Sequence, residues 1–436
     1  VNEKPIGKKR TITSVALKIS LLVAVIAGVA LAMYADELRR FRAVVTLFEP
    51  DVIVDHFRGM GTMFDTRAVR HDPDHVYTFE RDPRPLPETY EYGDETKSVS
   101  AFLEQTGTSG LAVIVNDKLV FEEYYLGNDE TTKWISWSVA KSFVSALVGI
   151  AIDEGHIEDV HDPVTKYVPF LKNTGYDGVP IKHVLQMSSG VRFDETYADY
   201  DSDINRMGRS LAFNTALDDF VASLESERPS GEYHHYVSMD TQVLAMVLRE
   251  TTGQTLAQNL EDHIWTKIGM ESDAYWLIDG GGMEMAFGGL NAVLRDYARF
   301  GLLYLHGGAW NGQRIVPADW VAASVTPDAA HLQPGDNPDS DSVMGYGHQW
   351  WIPENPEGDF LAIGVYNQFI YVHPGLNVVI AKTSAYADYN ENGEGSEVES
   401  VALFRGIAKQ LTDHLGEPGE LPSLRPLPKN QPAPGN

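Results

Sequence analysis

Trp137-Ser138-Val139-Ala140-Lys141-Ser142 heads a segment in which Val139, Phe143, Leu147 and Ile150 recur at helical spacing. The pattern predicts a helix over residues 138–154 that stops at Gly155, since glycine commonly closes a helix. Residues three apart share a helix face, so Ser138 and Lys141 point into the same space. A serine hydroxyl is a weak nucleophile and needs a base within hydrogen-bond reach. A partly desolvated lysine supplies one if burial lowers its pKa towards neutrality, and the helix start offers backbone N–H groups to a developing negative charge. As a two-residue pattern, Ser-x-x-Lys equally describes an N-cap serine followed by a solvated lysine.

Upstream, apolar strand formers at 111–115 and 118–125 flank Asn116-Asp117, a strong hairpin pattern. Downstream, helices are expected over 181–187, 217–224, 240–250, 256–268 and 294–305. Strands follow over 361–366, 369–372 and 378–383, then a last helix over 397–411. Strands at both ends enclosing a helical middle predict an α/β protein: an antiparallel sheet flanked by helices, plus an all-helical subdomain. The cleft between the two layers is the expected site. Pro229-Ser230-Gly231 makes a turn before Tyr236-Val237-Ser238, which places a phenol and a second hydroxyl near such a cleft.

Four divisions follow. Residues 1–35 read as a terminal membrane or export segment, 36–98 as a helical and proline-rich connector, 99–415 as the main domain with its helical insert over about 140–300, and 416–436 as a disordered tail with six prolines. Lys4, Lys8, Lys9 and Arg10 precede a stretch without charge from Ile19 to Tyr34. About 20 apolar residues span a bilayer, so a transmembrane helix within 13–35 is expected, with the amino end cytoplasmic and the catalytic domain extracytoplasmic. Ala30-Leu31-Ala32 also resembles a cleavage site, which would make the protein secreted or periplasmic; a buried helix is the third reading.

Composition narrows the chemistry. The 436 residues contain no cysteine, excluding disulfides and thiolate chemistry. There are 62 acidic against 34 basic residues, a formal charge of -28, which argues against a nucleic-acid partner. His71 and His75 have i,i+4 spacing, but in a proline-rich stretch that reads as connector rather than as a metal site. The glycine clusters 280–282 and 288–289 lack a phosphate-binding pattern. No pattern specifies an oligomeric state.

The stretch from about 99 to 384 resembles the serine beta-lactamase-related hydrolases, the class C and penicillin-binding-protein-like superfamily, and within it the 6-aminohexanoate-dimer hydrolase-like proteins. The text carrying it runs from Ser136 to Ile150. It continues through Gln186-Met187-Ser188-Ser189-Gly190-Val191, Tyr236 to Leu244 and Gly288-Gly289-Leu290-Asn291. Arg295 to Gly301, Pro317 to Val321 and Tyr346-Gly347-His348-Gln349-Trp350-Trp351 complete it.

The resemblance implies a beta-lactamase/transpeptidase-like fold and an acyl-enzyme mechanism with no metal or organic cofactor. It implies Ser138 as nucleophile, Lys141 as general base and Tyr236 as the proton relay to the leaving group. Ser238 takes the third place of the Tyr-x-Ser element, and Tyr197 the place of a loop tyrosine that contacts an amide substrate. The family's Lys-Thr-Gly or His-x-Gly strand element falls on Val365-Tyr366-Asn367, expected to bind substrate, with Gln368 expected to give the second oxyanion N–H beside that of Ser138. Valine at 365 lacks the cation that holds a beta-lactam carboxylate, unless Arg192 or Lys382 folds in to replace it. An ester or amide of a small molecule is therefore the expected substrate. The alternatives are a beta-lactamase or D,D-peptidase, and a non-catalytic envelope scaffold with this fold.

Overall fold

The computed structural model describes residues 17–23, 25, 28, 35–212 and 215–413. At its centre, strands far apart in sequence pair antiparallel: Val378–Ser384 lies on Thr108–Val115, with Ile380 opposite Val113. From there the sheet extends through Gln368–His373, Phe360–Gly364, Trp351–Ile352 and Gly345–Tyr346 on one side. On the other side it continues through Lys118–Tyr124 to Glu80–Arg81, the one parallel pairing of these eight strands. The Asn116-Asp117 turn forms as expected, with φ of 49° and 64°, between the paired Val115 and Lys118.

Strand side chains alternate between faces, and both faces here are covered. Leu111, Val113, Phe369, Tyr371, Val378 and Ile380 point into a core closed by Val401, Phe404, Ile407 and Leu411 of the helix Tyr389–Thr412. Ala112, Ile114, Ile370, Val372, Val379 and Ala381 face the larger core that holds the remaining helices. The helix Leu294–Leu305 lies directly on this second face. A Cβ at Gly301 would fall 2.6 Å from Val379 and 2.8 Å from Ile370, so only glycine permits that approach.

Helices Ala140–Asp153 and Ser238–Thr252 pack together in the helical layer, both almost wholly buried. That layer is shorter than expected. Ala274–Leu277 and Leu290–Ala292 are strands, and with Thr66–Val69 and Trp134–Ile135 they form a second, four-stranded sheet. Residues 36–98 are likewise no mere connector. Besides the helices Ala35–Val45 and Ile53–Arg58, they supply strands to both sheets, and Ile53, Phe57, Met60 and Val69 are buried in the larger core.

The spanning helix expected within residues 13–35 is corrected. Among the described residues no helix is long and apolar enough to cross a membrane. The membrane as a partner and the membrane-anchored localisation lose their basis with it. Most of residues 1–34, and the tail expected over 416–436, lie outside the described residues.

Candidate active site

Trp134–Ile135 delivers the chain to a short 3-10 turn, Trp137–Val139, from which the helix Ala140–Asp153 continues. Trp137 takes a φ of 43°, a left-handed conformation that costs a non-glycine residue on the order of 1–3 kcal/mol. Its surroundings hold it there. Phe57 meets the Trp137 ring edge-on at 5.3 Å, and Phe48 packs against it at 5.5 Å while stacking on Tyr366 at 4.6 Å. Two aromatics from the amino-terminal region thus brace the turn that presents Ser138.

Lys141 is buried, and its Nζ donates to Ser138 Oγ at 2.8 Å, to the Phe287 carbonyl at 3.0 Å and to Ser238 Oγ at 3.2 Å. Burial pulls its pKa down to about 7, against the opposing pull of the Glu195 and Asp240 carboxyls. Tyr236 presents its ring 4.8 Å from Lys141 Nζ and stacks on Trp351 at 5.4 Å. Burial pushes its phenol well above the ordinary range, with the hydrogen bond to Ser138 acting in the opposite direction. Ser138, Lys141, Tyr236 and Ser238 are therefore brought together from the starts of two helices and the residues immediately ahead of them.

Glu195 is the residue that the sequence reading passed over. Its Oε1 accepts from Ser238 Oγ at 2.6 Å and from the Tyr197 hydroxyl at 2.7 Å, and its Oε2 accepts from the Ser238 backbone N–H at 3.1 Å. One carboxylate thus orders both the second serine and the loop tyrosine.

A cavity of about 240 Å³ opens beside these groups, lined by Ser138, Ser238, Tyr197 and Val365 among others. Tyr366, Asn367 and Gln368 do not line it, contrary to expectation. Tyr366 is buried beneath Phe48, and Asn367 Oδ1 accepts from Ser396 Oγ at 3.1 Å on the far side. The Gln368 side chain bridges Trp134, Ser384 and the Val365 carbonyl. The reason is local. Tyr366 and Asn367 both have positive φ, 61° and 68°, so the chain turns immediately after Val365 and carries the next residues away. Gly364 is the point of closest approach: a Cβ there would lie 2.5 Å from the Ser136 carbonyl and 3.1 Å from the Ser138 nitrogen.

Neither cation considered as a replacement at residue 365 reaches the cavity. Arg192 is exposed, 4.0 Å from Glu225, and Lys382 is buried with its Nζ donating to Ser384 Oγ at 2.6 Å. His71 and His75 pair separately, with Asp273 and Asp72.

A helix-borne serine held against a buried lysine of near-neutral pKa, beside a cavity between sheet and helices, is the site of a serine hydrolase. The chain belongs to the beta-lactamase family: the family model described as Beta-lactamase matches residues 96–396. It is 32% identical over 294 residues to the 6-aminohexanoate-dimer hydrolase of Paenarthrobacter ureafaciens, covering 66% of this chain and 74% of that one. A solved Bacillus anthracis structure assigned as a 6-aminohexanoate-dimer hydrolase superposes with a TM-score of 0.76 at 26% identity, over 84% of this chain and 96% of that one. A Staphylococcus aureus teichoic acid D-alanine hydrolase is 24% identical over 208 residues, 45% of this chain and 48% of its own length.

Proposed function

We propose that this hydrolase cleaves ester or amide bonds of small, uncharged substrates through an acyl-enzyme on Ser138. The contact carrying the reading is the 2.8 Å hydrogen bond between Lys141 and Ser138. With a pKa of about 7, Lys141 is substantially neutral at physiological pH and can take the Ser138 proton as Oγ attacks the carbonyl. The oxyanion falls to two backbone N–H groups: that of Ser138 and, in place of Gln368, that of Val365, which follows Gly364 at its contact with the Ser138 nitrogen. Tyr236 stays protonated because burial raises its pKa. It hands a proton to the leaving group and is recharged from the Lys141 ammonium. Water then attacks the acyl carbonyl as Lys141 takes one of its protons; the bond from Ser138 Oγ to the acyl carbon breaks, the acid departs, and the proton passes from Lys141 back to Ser138 Oγ.

Two features favour this over a beta-lactamase or D,D-peptidase. Val365 brings no charge to the cavity, and the arginines that do line it, Arg40 and Arg209, already have partners in Asp65 and the Tyr200 carbonyl. The two curated relatives reported above are named for hydrolysis of a 6-aminohexanoate dimer and of teichoic acid D-alanine, not of a beta-lactam. The scaffold reading has no comparable support, because the Ser-Lys hydrogen bond that it makes redundant is intact. The test compares kcat/KM for p-nitrophenyl butyrate, a linear 6-aminohexanoyl amide and nitrocefin. The ester and amide are expected to exceed nitrocefin by at least tenfold; nitrocefin turnover equal to theirs would restore the beta-lactamase reading.

A further inference from the structure

The cavity beside Ser138 is larger and more apolar than proton transfer requires, and its far wall comes from outside the Ser-Lys-Tyr machinery. Val44 and Val45 on the helix Ala35–Val45, and Ile204 and Met207 on the helix Asp203–Ala212, face one another across it. Phe48 and Leu277 close its sides. Val45 is 54% exposed although it lines the cavity, an apolar surface left open to whatever enters.

The side of the scissile bond that enters follows from Tyr236. This residue serves the leaving group in the mechanism above, and it does not line the cavity, whereas Ser138 and Val365 do. The leaving group therefore lies on the Tyr236 side, outside, and the acyl group projects inward. Resting on the serine-hydrolase reading, we propose that the acyl half of the substrate is an aliphatic chain held between the helices Ala35–Val45 and Asp203–Ala212.

Size and charge define that chain. A cavity of about 150 Å³ takes up the six carbons of benzene. By that measure about 240 Å³ accommodates up to roughly ten carbons, so an eight-carbon acyl chain fits within it. A terminal carboxylate is not called for. Arg40 is held by Asp65 at 2.9 Å, and the Arg209 guanidinium lies 3.9 Å from the Tyr200 ring centre, so both cations at the wall are already engaged.

The experiment is a chain-length series on the full-length protein: p-nitrophenyl acetate, butyrate and octanoate, and the mono-p-nitrophenyl ester of suberic acid as the carboxylate-ended analogue. Each buried methylene is worth up to about a fourfold gain. Octanoate is expected to exceed acetate at least tenfold in kcat/KM, and to exceed the suberate ester. Met207→Trp, which fills the cavity, is expected to cut the octanoate-to-acetate ratio at least tenfold. Val45→Trp, at an exposed position that folding tolerates, should lower the same ratio. A series that peaks at acetate, a suberate ester that outruns octanoate, or ratios that neither substitution moves would overturn the aliphatic-chain assignment. Labelling of Ser138 by a fluorophosphonate separates the two levels. With labelling intact, a flat series removes only the chain assignment; without labelling or turnover of any ester, the hydrolase reading falls and takes the chain assignment with it.

Discussion

Lys141 and Glu195 communicate through a third side chain, Ser238, whose hydroxyl accepts from the lysine at 3.2 Å and donates to the carboxylate at 2.6 Å. The carboxylate also receives the Tyr197 hydroxyl, so base, second serine and loop tyrosine form one hydrogen-bonded series. Lys141 faces Ser138, Tyr236 and the Phe287 carbonyl as well, with Asp240 behind it on the helix Ser238–Thr252. Among these groups, Glu195 exerts the strongest pull against the burial that lowers the lysine's pKa.

Activity is therefore expected to rise with pH through about 7, as Lys141 loses its proton and becomes a base. Glu195→Gln removes a charge that favours the ammonium. Its acid limb should move to lower pH, while Ser238 and Tyr197 keep a hydrogen-bonding partner. The pH dependence of kcat/KM on a nitrophenyl ester checks this; an unmoved limb would mean that Glu195 only shapes the loop.

Tyr236→Phe is expected to cost about 10²–10⁴ in amide hydrolysis and much less with nitrophenyl esters, because an amine must be protonated to leave and nitrophenolate need not be. Parallel kinetics on the two substrate types decide it. Equal losses would assign Tyr236 to packing against Trp351.

Gly364→Ala should lower kcat by about 10²-fold, the usual cost of losing an oxyanion donor. The added methyl must displace either the Ser136 carbonyl or the Ser138 nitrogen, 2.5 Å and 3.1 Å from its position. Circular dichroism should remain native while ester turnover falls. Full activity would place the oxyanion site elsewhere.

Lys382 is buried away from the cavity, and burial pulls its pKa from 10.5 to about 7. Between those values the unfolded chain binds a proton that the folded protein does not. Lys382 therefore destabilises the fold increasingly as pH falls from 10.5, with the full penalty present below about 7. Lys382→Met removes the penalty at the expense of one hydrogen bond to Ser384. A net gain of about 1–2 kcal/mol is expected in urea unfolding at pH 6, shrinking towards pH 10. A gain that is constant with pH would show that Lys382 stays charged when folded.

The parts legible in the sequence were those carried by local pattern. The period of Val139, Phe143, Leu147 and Ile150 announced the helix behind Ser138, and Asn116-Asp117 announced its hairpin because both residues tolerate positive φ. The order of the strands at 360–384 was readable, but the turn between the first two was not. Tyr366 is an unusual residue at positive φ, and nothing local says that the chain reverses there and carries Gln368 out of the site. Phe48 and Phe57 read only as parts of a helical connector because their partners, Trp137 and Tyr366, are remote in sequence. Glu195 stood in plain view in Asp194-Glu195-Thr196-Tyr197, yet its main partner, Ser238, is 43 residues away and only the fold joins them. The uncharged run from Ile19 to Tyr34 has the composition of a spanning segment, but among the described residues no helix is long and apolar enough to cross a membrane.

The account stands most directly on one covalent bond. Intact-mass measurement followed by peptide mapping, after exposure of the protein to a fluorophosphonate, is expected to show a single adduct on Ser138. Adduct formation should track the titration of Lys141 near pH 7 and vanish in Ser138→Ala, whose circular dichroism stays native. An adduct on any other residue, or undiminished ester turnover by Ser138→Ala, would contradict the assignment of Ser138 as the nucleophile.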